Sequence, residues 1–206
     1  MDGLFITFEG IDGCGKSTQI EILNKRLLLE GNDVLLLREP GGTVISEGIR
    51  QILLDKKNTK MCSETELLLF EAARAQIVRE IIDPAICEGK IVLCDRFIDS
   101  SVAYQGYGRR IGRRIVDELN TYAIGRRTPD VTFLFDLDPV AAVLRLSTRP
   151  QAKDRLDDES LSFMNRTRKG YLEIAGEEPQ RIKVLNAEKS IDDLSREIYS
   201  IFKEVR

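Results

Sequence analysis

The chain has 206 residues, 42% of them hydrophobic, and a net charge of −3. This length suits one α/β domain with a substantial core, and the slightly acidic balance argues against a nucleic-acid-binding protein. The four cysteines show no zinc-like spacing, and the chain shows neither a leader nor an apolar run of about 20 residues. We therefore expect reduced thiols and a cytoplasmic protein without a membrane anchor.

Short apolar segments alternate with amphipathic stretches along the whole chain. The predicted β-strands are Leu4–Glu9, Val34–Arg38, Ile91–Asp95, Val131–Asp136 and Ile182–Asn186. Because these apolar segments do not alternate regularly with polar residues and are separated by helices, they predict a parallel sheet covered on both faces. The fold class is therefore a doubly wound α/β fold that binds ligands at the carboxyl ends of its strands. No linker divides residues 1–206, so we expect a single domain.

The first strand leads into GIDGCGKS, which fits the phosphate-binding pattern G-x-x-x-x-G-K-[ST] at every position. Its glycines permit positive φ, so that backbone N–H groups converge on phosphate oxygens. Lys16 is expected to reach the β- and γ-phosphates, and the Ser17 hydroxyl is expected to bind Mg²⁺. The alternative, an ordinary glycine turn, is disfavoured by the flanking strand and helix. The predicted ATP-binding residues are Gly10, Ile11, Asp12, Gly13, Cys14, Gly15, Lys16, Ser17 and Thr18.

Charged residues also stand at the ends of the second and third strands. Asp95 is expected to hold Mg²⁺ or its water ligands. The planar guanidinium of Arg96 suits a phosphate, and Arg38 ends the second strand. Two arginines at separate strand ends favour a second phosphate, and surface ion pairs worth about 0–1 kcal/mol are the alternative.

The segment SETELLLFEAARAQIVREI, residues 63–81, predicts a long helix that opens with a capping box of Ser63 and Glu66. Phe70 and Arg74 are four residues apart and share a face of this helix. The ring can stack on a nucleobase, and the guanidinium can donate to a base carbonyl. The alternative is that Phe70 belongs to the core and Arg74 to the solvent.

Two further segments each leave two interpretations open. GRRIGRRI, residues 108–115, repeats its arginines at helical spacing and fits either a solvated helix face or a subunit or anion contact. STRPQAKDRLDDES, residues 147–160, is charged and broken by a proline. It fits either a solvated connector or a mobile lid that carries Arg149 and Arg155.

Six motifs that together span almost the whole chain resemble those of bacterial thymidylate kinases in order and spacing. The motifs are FEGIDGCGKST, REPGG, FEAAR, DRFIDSSVAYQG, RTPDVTFLFDLDP and FMNRTRKGYLEIA. The resemblance implies the P-loop nucleoside-monophosphate kinase fold. It implies transfer of the ATP γ-phosphate to dTMP, giving dTDP for dTTP synthesis, with Mg²⁺ as cofactor and a homodimer as the assembly.

The resemblance also implies a role for each matched position. Phe70 corresponds to the residue that stacks on thymine, and Arg74 to the donor to its O4 atom. Asp12 resembles the acid that accepts a hydrogen bond from the deoxyribose 3′-OH. Arg38 and Arg96 match positions at the acceptor phosphate. The remaining nucleoside-lining residues are Ser101, Tyr104 and Gln105, of which the tyrosine excludes a ribose 2′-OH.

The charge-neutralising arginine of this family lies either in the P-loop or in the lid. The P-loop carries none here, so the chain resembles the lid-arginine type, and Arg155 fits the pattern better than Arg149. The expected catalytic residues are Lys16, Asp95, Arg96, Arg149 and Arg155. The chain has no histidine, and none is needed, because an acceptor phosphate with a second pKa of about 6 is already anionic.

Two other functions fit the sequence less well than dTMP phosphorylation does. A deoxynucleoside kinase of related fold has a hydroxyl acceptor and needs a carboxylate base, whereas the two strand-end arginines favour an acceptor that carries a phosphate. A nucleotide-dependent switch of the GTPase kind needs N-K-x-D, which NAEK at residues 186–189 does not fit.

Overall fold

The computed structural model describes residues 3–148, 155 and 159–206. The strands are β1 (Leu4–Glu9), β2 (Val34–Arg38), β3 (Ile91–Asp95), β4 (Val131–Asp136) and β5 (Ile182–Asn186). They form one parallel sheet in the order β2-β3-β1-β4-β5. The five predicted strands are confirmed with their bounds.

Helices cover both faces of the sheet, as the doubly wound fold predicts. They are α1 (Lys16–Leu29), α2 (Val44–Leu54), α3 (Ser63–Ile77), α4 (Asp83–Cys87), α5 (Ile98–Ser101), α6 (Arg113–Ile124), α7 (Pro139–Ser147), α8 (Leu161–Glu177) and α9 (Ile191–Val205). A π-helical turn at Val78–Ile82 joins α3 to α4, and another at Val102–Gly108 extends α5. In the described part of the chain, no helix is long and apolar enough to cross a membrane.

The central strand β1 explains why the strand sequences do not alternate with polar residues. Ile6 and Phe8 pack on one side of the sheet against α1 and α9. Phe5 packs on the other side, edge-on against the ring of Phe97 at 4.9 Å. Both sides are buried, so apolar residues are required at successive positions. Thr7 is also fully buried, and its hydroxyl hydrogen-bonds to the hydroxyl of Thr132 at 2.7 Å.

The register of the strands brings the predicted site residues to one edge. Asp95 of β3 pairs with Phe8 of β1 on one side and with Arg38 of β2 on the other. The P-loop leaves β1 two residues beyond Phe8, so it opens at the same edge. Parallel strands place all their carboxyl ends together, which is why residues far apart in sequence meet there.

The predicted capping box of α3 is wrong. Ser63 is the first residue inside the helix, and Cys62 at the N-cap makes no capping bond through its side chain. Glu66 is buried and accepts hydrogen bonds from residues of later segments instead. Its carboxylate is therefore engaged by tertiary partners and not by its own helix start.

The predicted helical face of GRRIGRRI is also wrong. The π-helical turn ends at Gly108, Arg110 has a φ of +64° and α6 begins only at Arg113. Arg109 pairs with Glu66, whereas Arg113 pairs with carboxylates of α6 and α8. The turn separates the two arginine pairs, so they do not lie along one helix.

Most of the predicted lid, residues 147–160, lies outside the described residues. The predicted lid residue Arg149 is among those outside the described residues, whereas Arg155 is described. The division into a single domain with a lid stays a prediction.

Candidate active site

A cleft of about 990 Å³, open mouth included, lies at the carboxyl edge of the sheet. It is lined by all the predicted nucleoside-side residues: Asp12, Arg38, Phe70, Arg74, Arg96, Ser101, Tyr104 and Gln105. Lys16, Ser17 and Asp95 line the same cleft. The structure therefore brings the phosphate-binding loop and the predicted acceptor residues into one space.

The P-loop has the backbone geometry that its glycines predict. Gly10, Gly13 and Gly15 have φ values of +135°, +84° and +97°, a region that side chains disfavour. At Gly10 a Cβ atom would lie 2.6 Å from the carbonyl oxygen of Phe135, so no larger residue fits. Gly15 is the N-cap of α1 and has no capping side chain, which leaves the first N–H groups of the helix for an anion.

The side chains of the loop divide between the cleft and the core. Ile11 and Cys14 are buried in the core beneath the loop, so only their backbone groups can face a phosphate. The Lys16 ammonium lines the cleft and donates to the carbonyl oxygens of Gly10 at 2.9 Å and Ile11 at 3.3 Å. These neutral acceptors are ones that a phosphate anion can replace.

Ser17 and Asp95 place two side-chain oxygens next to each other in the lining of the cleft. The Ser17 hydroxyl donates to Oδ2 of Asp95 at 3.3 Å, and Oδ1 of Asp95 is buried without a hydrogen-bond partner in the described part of the chain. Among the described residues, no cluster of three or more His, Cys, Asp or Glu could hold a metal alone. The pair therefore suits a hard divalent cation that takes its other ligands from water and phosphate.

Arg96 is fixed between the P-loop and the wall of the cleft. Its Nη2 donates to Asp12 at 2.7 Å and to the Tyr104 hydroxyl at 3.1 Å. Nη1 donates to the carbonyl oxygen of Gly10 and to the Ser100 hydroxyl, both at 3.1 Å. Burial opposes ionisation of Asp12, but Arg96 and Lys16 hold the pKa of that carboxyl well below its usual range. Asp12 is therefore a carboxylate at neutral pH and accepts hydrogen bonds.

Arg74 is one of the most buried side chains of the protein, with 1% of its surface exposed. Its partners are Glu39 (2.8 Å), Glu71 (2.5 Å), Ser101 (2.8 Å), Asn120 (2.9 Å) and the carbonyl oxygen of Phe97 (3.1 Å). The bonds leave one N–H of Nη2 without a partner among the described residues. The alternative that Arg74 is solvated is wrong, and half-buried Phe70 lines the cleft beside it.

Glu39 is a site residue that the sequence reasoning missed. It lines the cleft next to Arg74 and is buried, and none of the described residues hydrogen-bonds to its Oε1. Burial raises the pKa of Glu39 to about 7, Arg74 opposes this rise, and nearby Glu71 adds to it. The signal in the sequence is an acid between Arg38 and Pro40, inside a turn that follows a buried strand.

Arg38 extends from the end of β2 and is about half exposed. It donates to Glu47 of α2 at 3.1 Å and to the carbonyl oxygen of Pro40 at 3.0 Å. The predicted alternative, a surface ion pair, is therefore present, and such a pair is worth about 0–1 kcal/mol. Arg38 lines the cleft as well, so a phosphate could compete with Glu47 for the guanidinium.

Arg155 is held at the side of the cleft and not inside it. Its Nη2 donates to Glu66 at 2.6 Å and its Nε to the carbonyl oxygen of Leu53 at 2.7 Å. Glu66 also accepts from Gln105, which lines the cleft, and from Arg109. To act on a phosphate in the cleft, Arg155 would have to leave these partners.

Glu9, the last residue of β1, was also missed by the sequence reasoning. It is fully buried, and its carboxylate accepts from the backbone N–H of Phe97, from Ser100 and from Tyr171. Burial and the charge of Asp99 raise the pKa of Glu9 to about 7. A charged residue that closes an apolar strand directly before the P-loop is the signal that could have found it.

A family model described as thymidylate kinase matches residues 8–198. The chain belongs to the thymidylate kinase family. The thymidylate kinase of Desulforudis audaxviator is 48% identical over 190 residues, which cover 92% of this chain and 85% of that protein. That of Bacillus licheniformis is 45% identical over 205 residues, covering 99% and 97%.

A solved structure agrees with this membership. A crystal structure of thymidylate kinase from Ehrlichia chaffeensis has a TM-score of 0.79 and 37% sequence identity, covering 98% of this chain and 99% of that one. The family resemblance, the P-loop kinase fold and the enzyme class predicted from the sequence are therefore confirmed. The roles of individual site residues stay predictions.

Proposed function

We propose that this protein phosphorylates dTMP to dTDP with ATP, and that the cleft described above holds both nucleotides. Family membership supports the reaction. The observation that carries the proposal is that one cleft contains a phosphate-binding loop and, opposite it, a wall with an aromatic ring and a buried arginine. The loop would hold the donor phosphates, and the wall would hold the acceptor base.

The donor side rests on the P-loop and the oxygen pair next to it. The free N–H groups at the start of α1 and the Lys16 ammonium would bind the β- and γ-phosphates. Ser17 and Asp95 would hold Mg²⁺, whose fit is supported by the buried, unpartnered Oδ1 of Asp95. When bound, Mg²⁺ neutralises charge on the phosphate oxygens.

The sugar and phosphate of the acceptor would lie against Arg96 and its neighbours. Asp12 is ionised and half-buried, so it can accept a hydrogen bond from a 3′-OH. Tyr104 donates to Asp12 at 3.0 Å, and the phenol ring held in this way would exclude a ribose 2′-OH. Arg96 and Arg38 supply guanidinium groups for the acceptor phosphate.

Base selection follows from the one remaining N–H of Arg74. A donor at this position suits the O4 atom of thymine or uracil and meets the N4 amino donor of cytosine unfavourably. We therefore expect dCMP to be rejected strongly. The thymine methyl contributes only about 1–3 kcal/mol in an apolar pocket, so dUMP is expected to be a poorer but usable substrate. Phe70 would stack on either pyrimidine.

The chemical step needs charge neutralisation and not a general base. The acceptor oxygen is anionic near neutral pH, so repulsion between two anions is the main barrier. Lys16 and Arg96 lower it from fixed positions. The third cation would be Arg155, released from Glu66, or Arg149, and its arrival would also exclude water from the reacting phosphate.

We also propose that the protein acts as a cytoplasmic homodimer. Exposed apolar side chains recur at a spacing of seven residues on two helices, namely Ile45 and Ile52 of α2 and Ile115 and Tyr122 of α6. Leu68 of α3 is exposed between them, and Tyr122 has 84% of its surface exposed. A second copy of this chain would cover such a face. The test is the molar mass of wild type and Tyr122→Glu by light scattering. We expect the mass of a dimer for wild type and that of a monomer for the variant, because the substitution places a charge in the apolar face.

The proposed reaction is tested by coupled ADP release with Mg²⁺-ATP and a panel of monophosphates. We expect fast turnover with dTMP, weaker turnover with dUMP and very little with dCMP, dGMP or AMP. Arg26→Ala, which changes an exposed arginine of α1, is the matched control and should leave this order unchanged. Preference for a purine monophosphate or for dCMP would contradict the assignment of Phe70 and Arg74 to the base.

A further inference from the structure

Glu9 lies behind the cleft, does not line it, and makes three hydrogen bonds. Its Oε1 accepts from the backbone N–H of Phe97 at 2.7 Å. Its Oε2 accepts from the Ser100 hydroxyl at 2.6 Å and from the Tyr171 hydroxyl at 2.8 Å. A buried carboxylate needs such partners, but these particular ones all surround one residue, Arg96.

The backbone of Arg96 is in a conformation that side chains disfavour. Its φ is +70°, in the left-handed region. Two consecutive residues of β1 hold this turn: the N–H of Arg96 donates to the carbonyl oxygen of Phe8 at 3.0 Å, and the N–H of Phe97 donates to Glu9. The Glu9 side chain therefore fixes the peptide that follows the unusual φ.

The guanidinium of Arg96 depends on the same carboxylate. When Glu9 is ionised, Ser100 and Tyr171 direct their hydroxyl protons to its Oε2, which leaves their lone pairs for Nη1 of Arg96 at 3.1 Å and 3.3 Å. The two hydroxyl oxygens also lie 2.8 Å apart, so the ionised carboxylate keeps each proton from turning to the other hydroxyl. Glu9, which does not line the cleft, therefore helps to hold both the backbone and the side chain of Arg96, together with the direct partners Asp12 and Tyr104.

We propose that Glu9 is a positioning residue for Arg96, which it orients toward the phosphate of the acceptor nucleotide. The inference rests on the proposed function, in which Arg96 binds that phosphate. It predicts a selective effect: loss of Glu9 weakens binding of a nucleotide with a 5′-phosphate and spares the same nucleoside without one. A residue that only maintained the fold would affect both ligands alike.

Glu9→Gln is the decisive variant because it keeps the size of the side chain and one carbonyl oxygen. The new amide N–H₂ donates where Oε2 accepted. The hydroxyls of Ser100 and Tyr171 must then turn to accept from this amide, so their lone pairs are no longer free for Nη1 of Arg96. Thr7→Val is the matched control. Thr7 is fully buried two residues earlier on the same face of β1, and its hydroxyl bonds to Thr132.

The experiment is calorimetric titration of wild type and variants with dTMP and with thymidine. We expect Glu9→Gln to weaken dTMP binding at least fivefold and thymidine binding less than twofold, whereas Thr7→Val leaves both within twofold. Tyr171→Phe, which removes one hydroxyl from the set, should weaken dTMP two- to threefold and spare thymidine. It keeps the test available if Glu9→Gln fails to fold.

Arg96→Lys separates failure of the inference from failure of the proposed function. If Arg96→Lys weakens dTMP and both Glu9→Gln and Tyr171→Phe leave it unchanged, or weaken thymidine equally, the role of Glu9 is overturned and the function stands. If Arg96→Lys leaves dTMP binding unchanged, the phosphate role of Arg96 and the inference fall together.

Discussion

Removal of Arg74 is expected to destabilise the protein through the carboxylates that it leaves behind. Glu39 and Glu71 lie 2.8 Å and 2.5 Å from its guanidinium, and all three side chains are buried. Breaking a buried ion pair from one side costs about 3–5 kcal/mol, because the remaining charge has no partner. For a chain of this size, Arg74→Ala should therefore lower Tm by about 6–20 °C.

The dependence of this loss on pH tests its cause. Without Arg74, which opposes the rise, the pKa of buried Glu39 lies still further above its value in the unfolded chain, so Glu39 takes up a proton as pH falls. Each unit of added shift is worth about 1.4 kcal/mol. The difference from wild type should therefore be smaller at pH 5.5 than at pH 8, as measured by calorimetric unfolding at both values.

Arg26→Ala serves as the control for this prediction. Arg26 pairs with Glu30 on the surface of α1, and an exposed pair of this kind contributes less than about 1 kcal/mol. A loss of less than about 1 kcal/mol for Arg74→Ala would refute the reasoning. So would a loss that is the same at both pH values, because the stranded carboxylates would then not be its source.

Three further predictions follow from packing, titration and metal binding. Gly108→Ala should lower the free energy of unfolding in urea by about 1–3 kcal/mol, because the new Cβ would lie 2.7 Å from the Phe163 ring. Gly48→Ala is the control and should cause no such loss, because a Cβ at Gly48 meets open space. Equal losses in the two variants would contradict the prediction. The raised pKa of Glu39 means that folding favours its protonated form, so stability falls as pH rises from 4.5 to about 7. Glu39→Gln should flatten that fall in thermal unfolding, and an unchanged slope would count against the raised pKa. Asp95→Asn should lower kcat about 100-fold and raise the Mg²⁺ concentration needed for half-maximal rate. An unchanged Mg²⁺ dependence would show that Asp95 does not hold the metal.

The sheet and the P-loop could be predicted from sequence because their signals are local. The central strands β1, β3 and β4 are buried on both faces and are therefore mostly apolar, and the edge strands β2 and β5 are apolar enough that all five were found with their bounds. The positive φ values of Gly10, Gly13 and Gly15 follow from a motif that few other backbones satisfy. Asp95 and Arg38 lie side by side because each ends a strand, and neighbouring parallel strands end at the same edge of the sheet.

The remaining features depend on partners that are distant in the chain. Glu66 looks like half of a capping box, and only the fold shows that Gln105, Arg109 and Arg155 engage its carboxylate. Glu39 is ordinary in sequence until Arg74 lies against it. The residues around a helix start do not show whether a carboxylate will cap the helix or bind a residue distant in the chain. The capping box of α3 was therefore predicted wrongly.

The proposed acceptor already carries a phosphate, which the strand-end arginines bind. This can be tested by comparing dTMP with thymidine as acceptors in coupled ADP release at saturating Mg²⁺-ATP, with the product identified by chromatography. We expect rapid formation of dTDP from dTMP and almost no phosphorylation of thymidine. Efficient conversion of thymidine to dTMP would contradict it, because a hydroxyl acceptor requires a carboxylate base and a different role for Arg38 and Arg96.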